Sequence, residues 1–253
     1  MKNKIIAIWG NPNSGKTTLS IKVANELIKR KKSVILIMAD SYTPVIHTVL
    51  PFTETKEQSL GELLASIQIS QESILKKCIP VERTKNLSVL TYLHGENSRT
   101  YADYGKERVI DLLILLKHLA DHIIIDCSSY VHHDLLSRSA LELSDQVICL
   151  ISPDLKAISF YDATLPLIKE RKYNSMNHLN VLSKVKAEMP KDNISHRFGG
   201  VQRELEYTEE LQGQMRQARL FEDLMEKKSR AYQKQLIHLV DTLLEDQERG
   251  EHE

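Results

Sequence analysis

The eight residues Gly10-Asn11-Pro12-Asn13-Ser14-Gly15-Lys16-Thr17 constrain this chain more than any other stretch. They match G-x-x-x-x-G-K-[ST] in full. An apolar run, Ile5 to Trp9, precedes them, and apolar residues at helical spacing, Leu19, Val23, Leu27 and Ile28, follow. The pattern predicts a strand, a tight loop and a helix in that order. Its physical content is an anion cradle. Gly10 and Gly15 are expected to give the backbone freedom that turns successive N–H groups round a phosphate, and the helix N-terminus adds its partial positive charge. Asn11, Pro12, Asn13 and Ser14 complete the expected cradle. Lys16 is expected to reach the β- and γ-phosphates, Thr17 to ligate Mg²⁺ through its hydroxyl, and Thr18 to serve the α-phosphate. A glycine turn without a ligand would leave the Lys-Thr pair unexplained, so ATP with Mg²⁺ is the expected ligand.

The rest of the chain alternates in the same way. Val34 to Met38 reads as a strand leading to Asp40, Leu60 to Ile67 and Ile74 to Cys78 as helical pieces, and Leu87 to Leu93 as a strand. Glu107 to Leu119 carries apolar residues at 109, 110, 112, 113, 115 and 116 and predicts a helix; Ile123 to Ile125 is a buried strand ending at Asp126. Val147 to Ile151 is a further strand, Ala157 to Ile168 a helix, and Leu179 to Leu182 a weaker strand. Strands and helices alternating at this length imply an α/β P-loop NTPase fold, a mostly parallel twisted sheet with helices on both faces, binding ligands at the carboxyl ends of its strands. The 253 residues fit one domain, which would bury about 70–75% of its unfolded surface. Beyond Pro190 the character changes. Residues 201–250 are rich in Glu, Gln, Lys, Arg and Leu, with helical spacing at Leu236, Ile237, Val240, Leu243 and Leu244. One or two peripheral helices and a frayed acidic end are expected there.

Two carboxylates fall at the ends of buried strands, where phosphate chemistry needs them. Asp126 is expected to accept from Mg²⁺-bound waters, with a helix N-cap or turn as the alternative. Asp40 is expected to orient an attacking water, although Ala-Asp-Ser is also an ordinary turn.

Charge excludes a global attraction to nucleic acid or anionic membrane, because Lys plus Arg and Asp plus Glu both total 34. Cys78, Cys127 and Cys149 form no C-x-x-C pair, and the last two read as small core residues. The apolar run of MKNKIIAIWG is too short for a signal peptide, and no run of about 20 apolar residues occurs, so a cytoplasmic location is expected. Lys29-Arg30-Lys31-Lys32 reads as a solvated helix C-terminus. His132-His133-Asp134 is polar, but adjacent histidines point to different sides. Tyr101, Tyr104 and His94 lie in a polar loop to which the sequence assigns no chemistry.

The order of these segments resembles the ParA/MinD family of Walker ATPases over residues 4–240. The resemblance rests on GNPNSGKTT and its helix, VILIMAD at 34–40, NLSVLTYL at 86–93, DHIIIDCSS at 121–129 and SDQVICLISPDLKAI at 144–158. It implies ATP-dependent homodimerisation with two nucleotides sandwiched at the interface, Asp40 as the switch I residue, Asp126 as the Walker B residue, and Ser152 and Pro153 bordering the base pocket. The chain also departs from that family. Its signature lysine, five residues before the phosphate lysine, is here Asn11; Met38 replaces the first of two aspartates, Tyr130 a glycine, and the asparagine of the base-recognising strand aligns near Ser183. Losing a cation supplied in trans implies slow hydrolysis, because such cations are worth about 10³–10⁵ in rate. An atypical loop is similar to the TadZ/CpaE branch, which localises pilus machinery at the cell pole.

The resemblance thus implies an ATP-switched homodimer, with weak or partner-stimulated hydrolysis, that positions a pilus or secretion assembly and is recruited to membrane or pole by partner proteins. A second expectation is a DNA-partition ATPase using Arg216, Arg219, Lys227, Lys228 and Arg230 on phosphates, although Glu222, Asp223 and Glu226 interleave with them. A third is a small-molecule ligase of the same superfamily, which needs a second substrate pocket.

Overall fold

The computed structural model describes residues 4–51, 57–82, 84–168, 178–189 and 195–249. Pro190 and the acidic residues from 250 onward lie outside them. Each apolar run becomes a buried strand. β1 (Lys4–Gly10) lies between β5 (His122–Asp126) and β6 (Gln146–Ile151), parallel to both. β2 (Val34–Met38) pairs in parallel with β5 and with β4 (Leu87–Thr91). β7 (His178–Val185) pairs in parallel with β6 and β8 (Arg203–Glu206), and β3 (Ile79–Pro80) runs antiparallel to β4. Among the described residues the order is β3-β4-β2-β5-β1-β6-β7-β8. The chain leaves β1 first toward β2 and later, through β6, toward β8. The carboxyl end of β1 is therefore the point from which connections diverge, where a crevice opens in sheets of this kind.

Alternation along the strands divides the core in two. Ile6 and Ile8 of β1, with Leu36, Ile124 and Ile148, face α1 (Lys16–Lys29), α2 (Ile46–Val49), α8 (Glu209–Arg216) and α9 (Arg230–Arg249). Ile5, Ala7 and Trp9, with Ile37, Ile123 and Ile125, face α3 (Leu60–Ala65), α4 (Gln71–Lys77), α5 (Lys106–Leu116), α6 (Leu135–Leu143) and α7 (Leu155–Ile168). The expected sheet with helices on both faces is what the chain forms.

Several elements differ from the sequence reading. α3 stops at Ala65, leaving Ile67 outside the helix and 98% exposed. β7 is an eight-residue strand rather than a short, weak one, with an irregularity near its end. β8 went unread because its sequence, RELE, buries only Leu205. Residues 201–249 are also more than peripheral. β8 extends the sheet, and Leu205, Leu220, Leu224, Tyr232, Leu239 and Val240 are buried in the core. Lys22 ties this region to α1. Its buried ammonium donates to Gln214 Oε1 at 2.7 Å, to the Leu220 carbonyl at 2.7 Å and to the Glu222 carbonyl at 2.6 Å. Burial lowers its pKa to about 8. The basic run at the end of α1 is not simply solvated either: Lys29 pairs with Asp223 at 2.7 Å and Arg30 with Asp241 at 2.7 Å.

Candidate phosphate-binding site

The turn between β1 and α1 is built by two glycines for different reasons. Gly15 is the N-cap of α1 with φ 96° and ψ 24°, a left-handed conformation that glycine adopts without strain. Gly10 is required by proximity instead. A β-carbon there would stand 2.1 Å from the Leu150 carbonyl oxygen of β6. The expectation that Gly10 supplies conformational freedom is therefore corrected: it lets β1 and β6 approach. Asn13 is also left-handed, φ 63°, which asparagine tolerates better than most residues. The Ser14 N–H donates to the Asn11 carbonyl at 3.1 Å. No side chain caps α1, so its first N–H groups face the turn.

Three sequence-predicted residues converge at this turn. The Thr17 hydroxyl donates to Asp126 Oδ2 at 2.6 Å. Lys16 Nζ donates to Ser129 Oγ at 2.5 Å and to the Asn11 carbonyl at 3.4 Å. Asp126 ends β5 in full burial, and desolvation raises its pKa to about 6, opposed by the Thr17 bond and the Lys16 charge. Lys16 is lowered by burial, against the attraction of Asp126 and Asp40. Among the described residues Asp126 Oδ1 and Ser14 Oγ, both buried, have no hydrogen-bond partner. A hydroxyl in contact with a buried carboxylate that keeps one oxygen free fits a hard, oxygen-seeking cation such as Mg²⁺. Thr18 sits half-buried in the first turn of α1.

Asn11 is turned inward. It is 2% exposed, and its Nδ2 donates to Ser152 Oγ at 2.7 Å and to the Pro12 carbonyl at 2.9 Å. Its Oδ1 accepts the Ser152 N–H at 3.0 Å. Ser152 in turn donates to Asp154 Oδ2 at 2.8 Å, and Asp154 Oδ1 accepts the Ala157 N–H at 2.8 Å. The amide thus braces the loop against the end of β6 and the start of α7. Ser152, expected beside a base pocket, spends its polar groups on this brace, and half-buried Pro153 follows it.

Asp40 closes a turn, its Oδ1 accepting the N–H groups of Tyr42 and Thr43, each at 3.0 Å. This is the alternative the sequence left open. Its charge still acts on Lys16 and Asp126. The segments after β2 and β5 are bonded together: Ser41 Oγ donates to Asp134 Oδ2 at 3.1 Å, and the Tyr42 hydroxyl to the His133 carbonyl at 3.2 Å. Asp134 is also the N-cap of α6, accepting the Ser137 N–H at 2.6 Å.

Sequence reasoning missed two contributors, Ser129 and Lys184, and met Ser183 only as a departure from the resembled family. Ser129 receives the Lys16 amine, and its carbonyl accepts the Trp9 indole N–H at 3.1 Å. Ser183 Oγ donates to the Ser14 carbonyl at 2.8 Å. Lys184 Nζ donates to the Asn13 carbonyl. The lysine repeat S-K-V-K after a strand was the available signal for Lys184. Arg219, a candidate for nucleic-acid phosphates, lies 3.5 Å from Glu222.

A protein-family model described as "AAA domain" matches residues 3–181 of this chain. No curated protein matches the chain in sequence. Solved structures resemble it closely in fold. The septum site-determining protein MinD of Pyrococcus horikoshii OT3, complexed with Mg-ADP, has a TM-score of 0.72 at 15% identity, over 95% of this chain and 96% of that one. A ParA family ATPase of Chlorobium tepidum TLS has a TM-score of 0.77 at 14% identity, over 94% and 97%. The MinC:MinD cell division complex of Aquifex aeolicus has a TM-score of 0.72 at 17% identity, over 95% and 96%. Among the described residues no helix is long and apolar enough to cross a membrane.

Proposed function

The chain belongs to the AAA domain family of the matched model, and from that premise we propose that it is an ATP-binding switch of the MinD/ParA kind. It dimerises with nucleotide, hydrolyses it weakly or under a partner's stimulus, and positions a pilus or secretion assembly in the manner of the TadZ/CpaE branch. Lys16, Thr17 and Asp126 hold the phosphates and Mg²⁺, with Asp126 acting through water, and the backbone from Gly10 to Thr18 cradles the phosphate chain. Mg²⁺ held there by Thr17 and Asp126 would supply charge neutralisation at the phosphates. Asp40 orients the attacking water with the carboxylate oxygen its turn leaves over. Recruitment to membrane or pole belongs to partner proteins.

The observation that carries this reading is the meeting of Thr17 with Asp126 at 2.6 Å beside the Lys16 amine. Slow turnover follows from Asn11, buried and bonded within its own subunit, which has no cation to offer a partner's phosphates.

Light scattering after size exclusion tests the switch. Mg²⁺-ATP is expected to convert monomer to dimer in the wild type and to leave Lys16→Ala monomeric. A single unchanged mass with ATP, ADP and no nucleotide would refute it.

A further inference from the structure

Two clusters to which the sequence assigned no chemistry, Tyr101 with Tyr104 and His133 with Asp134, meet in one cavity of about 130 Å³. The cavity lies at the carboxyl end of the sheet: Ser41 follows β2, Tyr92 follows β4, and His133 and Asp134 follow β5. No residue of the turn from Gly10 to Thr18 lines it, so it is separate from the phosphate site. Gly61, in the first turn of α3, makes room for it. Glycine is a poor helix former, but a β-carbon here would stand 2.5 Å from Cδ2 of Tyr101 and 3.1 Å from Cε1 of Tyr92. Glu96 holds the far end of Tyr101, accepting its hydroxyl at 2.6 Å. The hydroxyls of Tyr92 and Tyr104 lie 3.3 Å apart. Burial raises the pKa of both phenols, that of Tyr104 to about 12, so the rings are neutral.

The charge of the cavity has one sign. Asp134 is 2% exposed; its Oδ1 accepts the Ser137 N–H at 2.6 Å and its Oδ2 the Ser41 hydroxyl at 3.1 Å. Asp103 also lines the cavity, and among the described residues no lysine or arginine does. A buried carboxylate without a cation is costly. Burial raises the pKa of Asp134, and the charge of Asp40 adds to that rise. Two bonds do not exhaust a carboxylate, which has about four lone-pair sites.

We propose that this cavity binds a small organic cation, an alkylammonium of about five or six non-hydrogen atoms, its charge against Asp134 and its carbons against the tyrosine rings. The size follows from the volume, since a cavity of about 150 Å³ takes up benzene. The chemistry follows from the lining: neutral tyrosine rings attract a cation, and a carboxylate accepts its N–H groups strongly. Asp134 bonds Ser41, the neighbour of Asp40, so an occupant bears on the turn that Asp40 closes. The proposal goes beyond the nucleotide reading and does not rest on it.

Amide NMR titration of the nucleotide-free protein at about pH 8, where an alkylammonium keeps its charge, tests it with n-butylammonium and with neutral n-butanol of the same size. The ammonium is expected to shift the Ser41, Gly61 and Asp134 amides saturably, with a Kd of about 1 mM or tighter, which so small a ligand can reach. The alcohol is expected to bind at least about 10-fold more weakly. Asp134→Asn keeps a good N-cap for α6 and removes the charge; it should weaken the ammonium by about 10-fold or more and leave the alcohol unchanged. Tyr101→Leu should weaken the ammonium by about 3- to 5-fold, and Tyr101→Phe, which keeps the ring, by less. No saturation by about 50 mM ammonium, or equal affinity for the alcohol, overturns the inference in the wild type alone. An unchanged ammonium affinity in Asp134→Asn, or equal losses in the two Tyr101 variants, overturns it as well. None of these outcomes touches the nucleotide reading, which stands or falls on the sizing experiment.

Discussion

Replacing Asn11 with lysine installs the residue that the ParA/MinD resemblance implies at that position, and the structure sets what that costs. Asn11 both donates to and accepts from Ser152, at 2.7 and 3.0 Å, in a site where it is 2% exposed. An ammonium donates but cannot accept, so in Asn11→Lys the Ser152 N–H loses its partner whichever way the new side chain points. A buried donor left unsatisfied costs about 1–3 kcal/mol, and each lost hydrogen bond about 0.5–1.5 kcal/mol. Allowing for water replacing the Pro12 bond, the loss comes to about 2–4 kcal/mol. For a chain of this size that is a fall in Tm of roughly 5–15 °C. Asn11→Ala removes the same acceptor without adding charge and should fall by a similar amount.

Thermal unfolding and steady-state phosphate release, run on both variants, check the argument. The expected result is that both lose stability and that Asn11→Lys gains less than about 10-fold in hydrolysis, because a displaced loop mis-sets Lys16 and Thr17. If lysine were simply missing from an otherwise competent loop, restoring it should raise the rate by about 10³–10⁵. An Asn11→Lys protein with wild-type stability and a rate gain of that order would refute the bracing role.

Gly10 and Gly213 offer a contrast in glycine replacement. Gly10→Ala forces a β-carbon to 2.1 Å from the Leu150 carbonyl, whereas a β-carbon at Gly213, inside α8, meets nothing within 4 Å. Urea unfolding should show Gly10→Ala losing about 3 kcal/mol or more as β1 and β6 are pushed apart, and Gly213→Ala gaining about 0.5–1 kcal/mol; equal effects would contradict the close approach. Lys22 gives a pH signature. Its folded pKa of about 8 lies below the ordinary 10.5, so between those values the unfolded chain holds the proton that the folded one has released. Folding stability therefore rises with pH across that window, by up to about 3 kcal/mol, and the part due to Lys22 vanishes in Lys22→Met. A wild-type minus Lys22→Met stability difference that stays flat from pH 7 to 10 would contradict it.

What the sequence made legible were the features set by local pattern. Ile123 to Ile125 is apolar on both faces because β5 is covered on both, so Asp126 at its end could be placed, as could the strand, turn and helix around Lys16 and Thr17. Features set by two distant segments were not legible. Asn11 reads as a missing charge until Ser152, 141 residues away, is seen to hold it. Lys184 reaches the loop through an irregularity that depends on β8, whose sequence hides its strand. The polar loop that carried no assignment is explained by packing. Glu96 accepts from the Tyr101 hydroxyl at 2.6 Å, from Ser59 Oγ at 2.9 Å and from the Leu93 N–H at 2.7 Å. His94 lies against His47, with ring centroids 4.4 Å apart.

In the proposed reading, the phosphates compete for groups that the protein otherwise bonds to itself, and the bonds they replace have an address. The Lys16 amine bonds Ser129 Oγ, and the Ser129 carbonyl accepts the indole N–H of Trp9, which is 2% exposed. Five residues on, Asp134 accepts from Ser41, and His133 from Tyr42, in the turn that Asp40 closes. A change at Lys16 therefore bears on the segment after β5, and through it on the segment after β2. Asn11 acts on the opposite flank, where it fixes the loop to β6 and α7. The loop is thus bonded on both flanks, through Asn11 to Ser152 beyond β6 and through Lys16 to Ser129 beyond β5. A phosphate that draws the Lys16 amine from Ser129 acts on the β5 flank and leaves the bonds of Asn11 to Ser152 in place.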